Sequence, residues 1–205
     1  MKGEKKFLSI FDNPNEGKYM GYESLANAVE TRIKRYHEDF SLPLMAEQWE
    51  EVLARSLGDV GMKPEWENDR SHKVGEDIFE KSIGRISCKS GSLENGTVKF
   101  NGSRTTRFKT LKEKVEFLSS SHDDCYFMLA KDKKDIMKKN FKYKVLIFPS
   151  SAVKVNTLKW EETKGGWKGI GDFSATINRS MSDQLWTTLP LEKVEHVLEI
   201  DGNPS

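Results

Sequence analysis

A change of hydrophobic period partway along the chain constrains the fold more than any other feature of this sequence. Over residues 23–40, Leu25, Ala28, Val29, Ile33 and Tyr36 recur every three or four positions, the apolar stripe of an amphipathic helix. Ser41-Leu42-Pro43 interrupts the stripe. Residues 44–57 resume it with Met45, Trp49, Val52, Leu53 and Leu57, and Gly58 or Gly61 can close that helix. Beyond residue 75 the apolar runs shorten and turn residues separate them. Segments 76–79, 84–88, 97–100, 125–130, 143–148, 173–177 and 185–189 read as strands, with Asn95-Gly96 as a hairpin turn that tolerates positive φ. Residues 110–118 predict a short helix capped by Thr110, and residues 190–198 a final helix with Pro190 in its first turn. Helices, then strands, with a helix between strands, predict an α/β fold. Its central mixed sheet is flanked by helices, in a single domain spanning residues 1–205, with residues 1–20 as a polar arm or loop.

Composition narrows the functional classes. A chain of 205 residues with five Trp, five Tyr and eleven Phe can bury a real core. No apolar run approaches the roughly 18–20 residues of a membrane span. The start, Met1-Lys2-Gly3-Glu4-Lys5-Lys6, lacks the apolar stretch of a signal peptide. Two cysteines, Cys88 and Cys125, are too few for a disulfide framework or a thiolate zinc site and fit a reducing cytoplasm. With 33 basic and 32 acidic residues the net charge is +1, so any nucleic-acid partner has to be recognised by local patterns rather than by the total field.

One set of residues suggests chemistry: Trp49-Glu50 on the second helix, Gly75-Glu76-Asp77-Ile78 at the first strand, and Ser87-Cys88-Lys89 on the next. An acid opening one strand and a lysine on its partner converge if the two strands pair as a hairpin, and an acid on a packed helix can join from the side. Phosphodiester hydrolysis calls for such a set. Carboxylates hold Mg²⁺, which polarises the phosphate and activates a water, while a lysine orients that water or stabilises the developing charge.

At these residues the chain resembles the PD-(D/E)XK nuclease superfamily, in its restriction-endonuclease-like branch, and within it the type II restriction endonucleases. The matching elements are the aromatic–Glu pair Trp49-Glu50 followed by Leu53, Leu57 and Gly61, the Gly-x-Asp-apolar segment at Asp77, and the strand end Ser87-Cys88-Lys89, all within residues 45–90. The resemblance implies a restriction-endonuclease-like fold and a Mg²⁺-dependent double-stranded DNA endonuclease, with Mn²⁺ able to substitute, working as a homodimer. It implies Asp77 as central metal ligand, Lys89 as catalytic lysine, Glu50 as helix-borne acid and the Cys88 main-chain carbonyl as a further ligand. Two departures stand out: no Pro precedes the Asp, and Ser87 occupies the second acidic position. Glu50 or Glu76 would then have to restore the missing charge. The resemblance also leaves open a nuclease for branched or damaged DNA, or a binding module that has lost catalysis. A papain-like pairing of Cys88 with His72 or His122 has no local signature.

Two segments have the composition of DNA contacts. Residues 101–110 carry Arg104, Arg107 and Lys109 among Gly and hydroxyl residues with no acid between, suited to phosphates, though a flexible basic loop has the same composition. Residues 164–189 read as a recognition hairpin, in which Asn178, Arg179, Ser180, Asp183 and Gln184 are able to address base edges; polar turn residues give the same pattern. Arg104, Arg107, Lys109 and Arg179 are expected to line one basic cleft. The lysine-rich run 131–144 reads as a solvated helix face or a DNA-facing one, and His122-Asp123-Asp124 as a strand-entry turn or a metal site.

Overall fold

The computed structural model of the protein describes residues 21–66, 77–120 and 123–204. The expected N-terminal arm and the residues His72, Gly75, Glu76 and His122 lie outside the described residues.

The two helical stripes form as expected. Helix α1 (Tyr22–Asp39) buries Leu25, Val29, Ile33 and His37, one residue per turn. Helix α2 (Ala46–Asp59) buries Trp49, Leu53 and Leu57. Both pack on the same face of one large sheet. There they meet Ile86, Cys88, Phe127, Leu129, Val145 and Ile147. The Trp49 indole N–H donates to the Phe127 carbonyl at 3.0 Å, which sets the depth of α2 on the sheet. His37 joins α1 to the sheet, its Nε2 lying 2.9 Å from the Tyr143 hydroxyl and its ring stacked on Phe141.

The strands are β1 (Ile78–Glu80), β2 (Gly84–Glu94), β3 (Thr97–Arg104), β4 (Cys125–Asp132), β5 (Lys142–Pro149), β6 (Lys159–Thr163), β7 (Gly166–Ile170), β8 (Ser174–Asn178), β9 (Gln184–Pro190) and β10 (His196–Asp201). Their order across the ten-stranded sheet is β10-β5-β4-β2-β3-β9-β8-β7-β6, with β1 added alongside β2. Among the described strands β2 and β4 pair in parallel and every other pairing is antiparallel. Strands β4 and β5 are apolar along their length because both faces are covered. Phe127 and Leu129 point to the α1–α2 layer, Met128 and Ala130 to a second core with Val98, Phe100, Leu146 and Phe148. Helix α3 (Leu111–Ser119) covers that second core with Leu111, Val115 and Leu118. Thr110 caps it as its sequence predicts: its hydroxyl accepts from the Glu113 N–H, and the Glu113 carboxylate accepts from the Thr110 N–H at 2.9 Å.

Three expectations need correction. The segment 190–198 is not a helix. A single 3-10 turn, Leu191–Lys193, leads into strand β10, which pairs with β5. Leu191, Val194 and Leu198 satisfy helical spacing, but the open edge of β5 offers a full ladder of hydrogen bonds that a short helix there would leave unpaired. The segment 164–189 is three strands rather than one hairpin, and with β6 it extends the sheet. Of the glycines read as a turn, Gly165 lies with Lys164 in the β6–β7 turn and Gly171 in the β7–β8 connection. The glycines of β7 serve close packing. A Cβ on Gly166 would lie 1.9 Å from the Ile177 carbonyl oxygen, and one on Gly169 about 3 Å from Trp160. The lysine-rich run, finally, divides among the end of β4, the short helix α4 (Lys133–Met137) and the start of β5. Lys131 donates to the Leu44 carbonyl at 2.9 Å, and Lys144 pairs with Glu199 on β10.

Candidate active site

Asp77 lies at the entrance to β1, and its N–H donates to the Ile86 carbonyl at 3.2 Å. Because Ile78 faces Ile86 in the ladder, Asp77 falls opposite Ser87, and Lys89 projects on the same side two residues further along β2. The hairpin geometry therefore assembles what the sequence placed far apart. Asp77 Oδ2 accepts from the Cys88 N–H at 2.6 Å and lies 3.4 Å from Lys89 Nζ, with the Ser87 hydroxyl at 3.5 Å. Lys89 Nζ also donates to the Cys88 carbonyl at 3.0 Å. The ammonium is thus held between a carboxylate and a main-chain oxygen, and neither side chain is fully buried, at 28% and 21% exposure for Lys89 and Asp77.

A cavity of about 370 Å³ opens beside this pair, between the sheet, α3 and the 3-10 turn Val155–Thr157. Asp77, Ser87, Lys89, Asp123 and Arg107 contribute its charged and polar wall. Phe100, Phe117, Leu118, Tyr126, Val155 and Leu185 contribute the apolar one. The sequence left the Asp123-Asp124 pair open between a strand-entry turn and a metal site, and the structure gives the two residues different places. Of the Asp123-Asp124 pair, Asp124 has the structural role: its Oδ2 accepts from the Arg85 N–H at 2.8 Å and its N–H donates to the Arg85 carbonyl, fixing the entry of β4 beside β2. Asp123 is buried, at 7% exposure, in the cavity wall. The usable signal was the adjacency itself, since two consecutive acids entering a strand cannot both make the same turn contact.

Glu50 approaches from the opposite layer. It follows the buried Trp49 on α2, and its charge acts on the Cys88 thiol, but it is not among the residues lining the cavity. The second carboxylate of the cavity is Asp123. Burial pushes the Cys88 thiol well above its ordinary range, and the charges of Asp77 and Glu50 act in the same sense. A nucleophilic cysteine needs the opposite shift, and both histidines of the papain-like alternative, His72 and His122, lie outside the described residues.

The residues read as DNA contacts divide. Arg107 lines the cavity, its guanidinium 4.4 Å from the Phe117 ring centre and 4.8 Å from that of Phe108. Arg104 is exposed at the end of β3, opposite Gln184, and the Gln184 amide donates to the Gly102 carbonyl at 3.4 Å. Lys109 is exposed just ahead of α3. Asn178 is engaged within its own turn, accepting from the Ser180 N–H and hydroxyl. Arg179 pairs with Glu162 at 2.5 Å over the Trp167 ring. Asp183 holds Lys114 at 2.8 Å. That lysine is almost fully buried and also donates to the carbonyls of Thr105 and Phe108, at 2.8 and 2.6 Å. Of Arg104, Arg107, Lys109 and Arg179, expected to line one cleft, Arg107 alone reaches this cavity.

Among the described residues no group of three or more His, Cys, Asp or Glu side chains is placed to hold a metal ion. The donors that do share the cavity, two carboxylates and the Ser87 hydroxyl, are hard oxygen ligands. They suit Mg²⁺, which commonly takes one or two protein carboxylates and completes its octahedron with water and substrate phosphate. Comparison with protein-family models, with curated proteins and with solved structures returns no match.

Proposed function

We propose that the protein is a Mg²⁺-dependent endonuclease that hydrolyses phosphodiester bonds of double-stranded DNA, in the manner of a type II restriction enzyme. The observation that carries this reading is the Asp77–Lys89 pair, joined across two antiparallel strands at the wall of a cavity that also contains Asp123. In this reading Asp77 and Asp123 hold the metal, and the Cys88 carbonyl and Ser87 hydroxyl stand beside them. Bound Mg²⁺ would supply positive charge to the phosphate and lower the pKa of a water ligand. Lys89, fixed by Asp77 and the Cys88 carbonyl, directs its remaining N–H toward the attacking water or the developing phosphorane charge. Arg107, its guanidinium over two phenylalanine rings, binds a phosphate oxygen from the rim. The water oxygen forms the new bond to phosphorus, and the bond to the departing deoxyribose oxygen breaks. One such site cuts one strand, so cleavage of both strands would use a two-fold homodimer on a palindromic site.

Incubation of the protein with supercoiled plasmid and Mg²⁺ or Mn²⁺ tests this. The expected result is nicking and linearisation to discrete bands, reduced at least about a hundredfold in Asp77→Asn and in Lys89→Ala. Full cleavage by either variant overturns the assignment. Nicking confined to four-way junctions or damaged duplexes would reassign the substrate while keeping the site.

A further inference from the structure

We propose that the cavity beside Asp77 and Lys89 receives a nucleobase, so that the enzyme takes a nucleotide out of the stack at or next to the phosphate it holds. This rests on the nuclease reading and names the form of its substrate. A phosphate on the outside of a duplex needs only a shallow charged shelf for hydrolysis. Here the charged wall shares a space of about 370 Å³ with a set of apolar and aromatic side chains, Phe100, Phe117, Leu118, Tyr126 and Leu185 among them. The rings of Phe100 and Tyr126 lie 6.2 Å apart in that region, and Phe117 and Leu118 of α3 close it from the other side. A hydrated phosphate or sugar makes poor use of such walls. A base has two apolar faces that suit them and polar edges that need donors and acceptors.

Those polar groups are present on the same cavity. Thr187, directly opposite Phe100 in the β3–β9 ladder and 2% exposed, lines it, together with Asn101 and Ser103. Cations sit on the charged wall, Lys89 from β2 and Arg107 from the loop before α3, where a phosphate would lie. A chamber with aromatic walls and hydrogen-bonding groups, next to Lys89 and Arg107, has the layout of a nucleotide site rather than of a phosphate site alone.

Calorimetric titration of the full-length protein with the four deoxynucleoside 5′-monophosphates and with 2-deoxyribose 5-phosphate tests the proposal. At least one nucleotide is expected to bind about tenfold or more tightly than the sugar phosphate, in line with the worth of one stacked base. Leu118→Trp, which puts an indole into the chamber, is expected to bring that ratio near unity while sugar-phosphate binding persists. If its melting curve shows that this variant does not fold, Phe117→Ala, which removes one wall, is expected to lower the ratio instead. Equal affinity for nucleotides and sugar phosphate in the wild type, including binding of neither, overturns the proposal, as does an unchanged ratio in a folded variant. Plasmid nicking without base preference would retain the nuclease reading and reject the chamber. Base preference without nicking would retain a nucleotide site and reject hydrolysis.

Discussion

Lys89 has two partners within reach, the Cys88 carbonyl on β2 and the carboxylate of Asp77, which stands one residue ahead of β1 and is tied to β2 by its N–H bond to the Ile86 carbonyl. Groups tied to the ladder are positioned by it, so the ammonium has a fixed orientation. The same ladder explains why Ser87 stands opposite Asp77 without replacing a carboxylate: a neutral hydroxyl contributes an oxygen but no charge. Asp123, entering from β4, provides that charge on the same cavity. Isothermal titration with Mn²⁺ distinguishes the two candidate acids. Asp123→Asn and Asp77→Asn are each expected to weaken binding by about tenfold or more, whereas Glu50→Gln, on the opposite layer, leaves it little changed. Asp77 and Lys89 were legible in the sequence because each has a strand partner at a fixed offset. Asp123 was harder to read because its role depends on the parallel pairing of β2 with β4, a contact bridging some forty residues.

At the scale of elements, α3 and the β8–β9 turn are joined by one buried cation. Lys114 reaches Asp183, Thr105 and Phe108 at once, so the loop carrying Arg107 and the turn at Asp183 hold each other in place. Lys114→Met leaves the Asp183 carboxylate and two carbonyls without their donor. It is expected to destabilise the protein by about 3 kcal/mol in chemical denaturation, with part of the loss recovered in the double variant Lys114→Met/Asp183→Asn, since Asn removes the charge and tolerates the positive φ of this position. Nothing in the sequence marked this lysine. It stands on a helix with Lys112, Glu113 and Glu116, whose pattern reads as a solvated face. Elements with one buried face and one wet one, such as α1, α2 and α3, were readable from period alone. Strands β6 and β7 were not, because β6 exposes most of its residues and β7 substitutes glycines for the alternating apolar positions. Asp183 and Asn178 show the limit of composition. Both have base-reading side chains, and both are taken up by their own turns and by Lys114.

The whole molecule carries a pH response through His37. Burial holds its imidazole below the ordinary range, with the hydrogen bond to the Phe40 carbonyl acting in the opposite sense. The unfolded chain therefore takes up this proton more readily than the folded one. Stability from this group is complete above the unfolded value of about 6.5 and declines as the pH falls from there toward the lower folded value. Denaturation midpoints measured between pH 7 and 5 are expected to drop, and His37→Gln is expected to flatten that slope while lowering stability at pH 7 through loss of the stacked contact with Phe141. Its partner Tyr143, whose hydroxyl burial pushes up to about 12, stays neutral throughout and does not contribute to the slope.

A sheet this wide ends somewhere, and the manner of its ending on the β6 side bears on self-association. Among the described strands, β6 has β7 on one flank and none on the other, and it carries Lys159, Glu161 and Glu162. A second copy adding itself there would have to strip water from these charged side chains, a cost that opposes pairing. The outermost strand thus works as a terminator for growth of the sheet. A second copy would then meet this one elsewhere, leaving this rim in water.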